Sequence, residues 1–133
     1  MNNQAKRILL IDDDLDMHEV VRMILEPRGC RVTCCATGPA GMQALRREPP
    51  DVLLLDIMLA TPDEGLRLAD QIKGDAQLKS VPIIMISAIG QTLGETYARE
   101  LGVDGAPVEG FMEKPLSPQK LREAVDSVLN KSA

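Results

Sequence analysis

Aromatic side chains are almost missing from this 133-residue chain, which has no tryptophan, one tyrosine (Tyr97) and one phenylalanine (Phe111). A surface that stacks nucleobases on aromatic rings is therefore not expected, and leucine, isoleucine, valine and methionine must fill the core. Basic charge is in the minority too, with 15 Lys and Arg against 20 Asp and Glu and a net charge of −5. The cations are dispersed along the chain, so the clustered phosphate contacts of a nucleic-acid binder are not expected. No apolar run approaches the roughly 18 residues of a membrane span. The stretch from Met1 to Arg7 lacks the apolar core of a signal peptide. Both observations point to a cytoplasmic protein without a membrane segment. The three cysteines, Cys30, Cys34 and Cys35, share one predicted strand, with no CxxC pair and no companion histidine. A structural zinc site is thereby excluded, and reduced, partly buried thiols are expected. The single histidine, His18, sits early in a predicted helix and has no evident acid–base partner, so it reads as an exposed helix residue.

What the chain does contain is a regular alternation. Short apolar runs near residues 7–11, 30–35, 51–55, 82–86 and 110–113 read as buried strands, and amphipathic stretches near 15–26, 38–48, 64–73, 91–101 and 117–130 read as helices. Pro27 with Gly29, Pro49 with Pro50, and Ser117 with Pro118 punctuate the boundaries. In the last helix Leu121, Val125, Val128 and Leu129 fall on one face. Five strand–helix units in succession imply an α/β fold with a five-stranded parallel sheet, doubly wound by helices on both faces. The length fits one domain over residues 1–133. The glycine-rich stretch 102–110 is longer than most helix-to-strand connections and reads as a surface loop.

Charged residues stand at the carboxyl ends of the runs. Ile8-Leu9-Leu10-Ile11 leads into Asp12-Asp13-Asp14, Val52-Leu53-Leu54-Leu55 into Asp56, and Gly110-Phe111-Met112-Glu113 into Lys114-Pro115. Parallel strands deliver all of these to one edge of the sheet, the edge where open α/β sheets bind ligands. Carboxylates drawn together repel, each pair by about 4 kcal/mol at about 4 Å for an effective dielectric of about 20. A hard divalent cation with oxygen ligands offsets that, and magnesium suits a site with a few carboxylates. A carboxylate there can also attack phosphorus to form an aspartyl phosphate, with a fixed ammonium group neutralising the phosphoryl oxygens. Asp14 and Asp16 read as helix-start residues, and Met17 as packing.

These residues in this order resemble the receiver domain of two-component response regulators, over essentially the whole chain. The resemblance implies the flavodoxin-like (βα)5 fold. It implies that Asp12 and Asp13 are the acidic pair, Asp56 the phosphoacceptor, Ser87 the hydroxyl at the end of strand four, and Lys114 the lysine before a cis proline, Pro115. It further implies magnesium held by Asp12, Asp13, Asp56 and the backbone carbonyl of Met58. Phe111 matches the family's switch aromatic, with Ser87 as its trigger, and Gly65 resembles the glycine that opens the third helix. The partners implied are a histidine kinase or phosphotransfer protein and a downstream protein target, with a phosphorylation-dependent homodimer left open. On this reading the chain is not an enzyme beyond assisting its own phosphorylation and dephosphorylation.

Ala60 stands where the family usually has proline, with Pro62 two residues later and Gly65 displaced by one. The loop before the fifth strand is about five residues longer than usual by a count that rests on element boundaries. Two alternatives stay open. Asp12-Asp13-Asp14-Leu15-Asp16 after the first strand invites a haloacid dehalogenase-like phosphohydrolase, although Asp56 would then have no role. A receiver-like scaffold that no longer takes phosphate is the other.

Overall fold

A computed structural model describes residues 5–87 and 108–132. The strands are β1 (Lys6–Ile11), β2 (Cys30–Cys35), β3 (Val52–Asp56), β4 (Ile83–Ser87) and β5 (Gly110–Glu113). The described helices are α1 (Leu15–Leu25), α2 (Gly38–Arg47), α3 (Glu64–Lys73) and α4 (Pro118–Ser132). The helix expected near 91–101, with Tyr97, and most of the 102–110 loop lie outside the described residues. Among those residues no helix is long and apolar enough to cross a membrane.

All pairings are parallel, in the order β2-β1-β3-β4-β5. Every residue of β3 and β4 is buried. Alternation along the inner strands divides their side chains between two cores. Ile8, Leu10, Val52, Leu54, Ile84 and Ile86 pack on one face with Met17, Val21 and Leu25 of α1 and Leu121, Val125 and Val128 of α4. Leu9, Ile11, Leu53, Leu55, Ile83 and Met85 pack on the other with Leu45 of α2 and Leu66, Ala69 and Ile72 of α3. Continuous apolar runs are thus what a sheet covered on both faces requires. The outer strands differ from the buried strands that the sequence suggests. No residue of β2 or β5 is fully buried, because each has a neighbour on one side alone among the described residues. The cysteines are half-buried on β2, and burial raises the pKa of each thiol.

The helix ends follow their local chemistry. Asp14 caps α1 by accepting from the Asp16 amide at 2.9 Å, and Thr37 and Ser117 do the same for α2 and α4. A short 3₁₀ turn, Glu26–Arg28, follows α1 and closes at Gly29, whose φ of 87° is a left-handed conformation that glycine adopts without strain. β3 and β4 each run one residue further than the hydrophobic pattern alone suggests, so Asp56 and Ser87 are the last residues inside their strands. The chain leaves β1 towards β2 on one side and returns to β3 on the other. The resulting crevice lies at the carboxyl ends of β1 and β3.

Candidate functional site

At that crevice the sheet collects Asp12 and Asp13 from the end of β1, Asp56 from β3, Ser87 from β4 and Lys114 from just past β5. Asp12, Asp56 and Ser87 are buried polar residues within an otherwise apolar core. Asp13 is exposed at the rim. One carboxylate oxygen from each of Asp12, Asp13 and Asp56 lies within 4.8 Å of the other two. The Lys114 ammonium reaches into the cluster, 3.0 Å from Asp12 Oδ2 and 3.4 Å from Asp56 Oδ2. The Lys114-Pro115 peptide is cis, and the Lys114 amide donates to the Ser87 carbonyl at 2.8 Å, which ties the β5 exit to the end of β4.

Local turns aim the acidic side chains. Asp12 Oδ1 accepts from the Asp14 amide at 2.8 Å, closing a tight turn between β1 and α1. Asp56 Oδ1 accepts from the Met58 amide at 3.2 Å, which closes the turn that follows β3. Gly65 permits this packing. Its amide donates to the Ile57 carbonyl at 2.8 Å, and a Cβ on it would stand 1.9 Å from the Asp56 carbonyl oxygen and 2.6 Å from Ile57 Cα. These neighbours are backbone and cannot swing aside. Gly65→Ala is expected to lower stability by about 3 kcal/mol, at the upper end of overpacking costs, in urea denaturation. A loss below about 1 kcal/mol would show that α3 can move off the end of β3 without strain.

The electrostatics are those of an incompletely neutralised cluster. Burial, followed by the charge of Asp12, raises the Asp56 pKa from 3.8 to about 7 against the opposing pull of Lys114. Burial would lower the Lys114 pKa, but its hydrogen bond to Asp12 and the charge of Asp56 outweigh this and hold it above its ordinary value. Asp12 Oδ2 is buried and, although close to Lys114, meets it outside hydrogen-bonding direction and has no hydrogen bond. A buried carboxylate oxygen in that condition, beside two further carboxylates, fits an oxygen-coordinated cation. Asp12, Asp13 and Asp56 would hold such an ion, and its charge would offset the repulsion among their carboxylates.

Two residues show the limits of the linear pattern. Phe111 is half-buried on β5 opposite Met85 and packs against the core beneath α2 and α3. His18 departs from the sequence reading. It is half-buried, with Nε2 2.6 Å from the Asp12 carbonyl oxygen. Side chains in the first turn of a helix lean towards its amino terminus, and that is the signal by which a donor at this position could have been found.

Comparison with known proteins shows the family and the fold. The sequence model of the response regulator receiver domain matches residues 8–126. The transcriptional regulatory protein GltR of Pseudomonas aeruginosa is 32% identical over 133 residues, covering 99% of this chain and 52% of GltR. The alkaline phosphatase synthesis transcriptional regulatory protein PhoP of Bacillus subtilis is 29% identical over 127 residues, covering 96% of this chain and 50% of PhoP. The chain thus spans about half the length of the curated relatives it matches. Among solved structures, a response regulator described as putative from Chloroflexus aurantiacus superposes with a TM-score of 0.82 at 27% identity, over 95% of this chain and 98% of that one.

Proposed function

Because this chain belongs to the receiver domain family of two-component response regulators, we propose that Asp56 is its phosphoacceptor and that a histidine kinase or phosphotransfer protein is the donor. The observation that carries this is the convergence of Asp12, Asp13, Asp56 and Lys114 at one crevice, with Asp56 buried at the end of the central strand β3. In the transfer, an Asp56 oxygen forms a bond to phosphorus as the bond from phosphorus to the donor imidazole nitrogen breaks, and the leaving imidazole retains that electron pair and takes a proton. A magnesium ion held by Asp12, Asp13, Asp56 and the Met58 carbonyl would neutralise the phosphoryl oxygens and keep the Asp56 carboxylate ionised.

The chain's own residues do the rest. Asp12 holds Lys114, whose ammonium is placed to meet a phosphoryl oxygen on Asp56. Ser87 stands at the end of the strand next to β3. By strand alternation it shares a face with Met85, the partner of Phe111. On this reading the Ser87 hydroxyl draws in towards the phosphoryl group and Phe111 repacks, carrying the change to a protein-binding surface. The output is binding to a downstream protein, and the domain catalyses nothing beyond its own phosphoryl chemistry. A cytoplasmic location suits three cysteines that are free and half-buried on one strand. Asp56, unexplained by a phosphohydrolase with its nucleophile on β1, has a role here.

The test is incubation of the purified chain with acetyl phosphate and magnesium, followed by intact-mass measurement. One added phosphoryl group that disappears when magnesium is chelated is the expected result. No adduct at any donor concentration would return the chain to a scaffold that does not accept phosphate.

A further inference from the structure

We infer that His18 is a positioning residue for the metal ligands, holding the peptide that joins Asp12 to Asp13 and so aiming the Asp13 carboxylate into the site. This rests on the magnesium reading above. The partner of His18 Nε2 is a backbone carbonyl oxygen, which can only accept, so Nε2 carries the proton and donates at 2.6 Å. That carbonyl belongs to the planar unit whose other half is the Asp13 N–H. Fixing its oxygen fixes the orientation of the whole unit and constrains the direction in which the Asp13 side chain leaves the backbone.

Asp13 needs such help more than its neighbours do. The Asp12 side chain is buried and held by the Asp14 amide and by Lys114, and its own amide donates to the Cys35 carbonyl at 3.0 Å. Asp56 is held by the Met58 amide and Lys114. Asp13 is exposed, and no hydrogen bond or ion pair to the described residues holds its carboxylate, yet one of its oxygens stands within 4.8 Å of the other two ligands. Its aim is therefore set by the backbone on either side. The following peptide is held through the Asp14 amide on Asp12 Oδ1, and the preceding one by His18. A helix side chain thus supplies the second anchor of a ligand that has none of its own.

The experiment is a magnesium titration followed through the amide resonances of residues 12–14 in the parent, in His18→Phe, which keeps a ring without the donor, and in His18→Gln, which keeps a donor. Loss of one hydrogen bond predicts about five-fold weaker magnesium binding in His18→Phe. His18→Gln should stay within about two-fold of the parent. In an Asp13→Ala background, which removes the ligand oxygens, the penalty of His18→Phe should vanish, because the two changes act through one ligand. General damage to the fold would produce no such dependence on Asp13. His18→Phe binding as tightly as the parent, His18→Gln failing as badly as His18→Phe, or an equal penalty with and without Asp13 would each overturn the role. A parent whose resonances ignore magnesium would instead overturn the metal reading, and this role with it.

Discussion

Asp56→Asn is expected to take up no phosphoryl group from acetyl phosphate under conditions in which the parent gains one. The amide keeps the shape and volume of the carboxylate in a buried position at the end of β3. It can still accept from the Met58 amide, the bond that closes the turn. What it loses is a nucleophilic oxygen, and no packing change can restore that. Among the described residues Asp12 and Asp13 are the other carboxylates within reach, so intact mass must be joined by peptide mapping. Asp12 is a poor substitute because both its oxygens lie against Lys114 and one also closes the turn to Asp14. Label on Asp12 or Asp13 in the parent, or undiminished uptake by the variant, would remove Asp56 as acceptor.

The same substitution should make the protein more stable at neutral and alkaline pH when no divalent ion is present. Burial and the adjacent Asp12 lift the folded-state Asp56 pKa from 3.8 to about 7. Between those two values the folded protein holds a proton that the unfolded chain releases, so stability falls as pH rises through this window. The contribution is fully present below about pH 4 and gone above about pH 7. Converted, the interval from 3.8 to about 7 has a ceiling of about 4 kcal/mol. An asparagine never ionises, so urea denaturation in a chelator should show Asp56→Asn ahead of the parent by about 2–4 kcal/mol near pH 8, with the gap closing towards pH 4. Added magnesium should narrow the alkaline gap, since an ion that binds the folded parent stabilises it by mass action. Parallel stability curves across the whole range would show that Asp56 is already neutralised by Lys114 alone.

The primary sequence by itself determined the parallel α/β architecture and which charged residues converge at one edge of its sheet. Val52–Leu55 and Ile83–Ile86 are continuous apolar runs, and only a strand covered on both faces uses such a run. Once the strands are parallel, the residue after each run must arrive at one edge, and so Asp12, Asp56 and Lys114 meet although 102 positions separate the first from the last. Cap chemistry at Asp14 and Ser117 is local and was legible because a side chain reaching an amide two or three residues on needs no knowledge of the fold.

Tertiary structure alone decided the rest. That β2 and β5 are half-exposed follows from their place at the edges of the sheet, which strand order fixes and hydrophobic pattern does not. Gly65 looked displaced by one position in the sequence, yet it is the residue that lies against the Asp56 carbonyl, because the turn between β3 and α3 places it there. The raised Asp56 pKa is a property of enclosure, and enclosure exists only after the strands assemble. His18 carries the point furthest. Its six-residue separation from Asp12 gives no contact in an extended chain and none in a continuous helix. The turn between β1 and α1 reverses that, setting the imidazole against the carbonyl of the Asp12–Asp13 peptide.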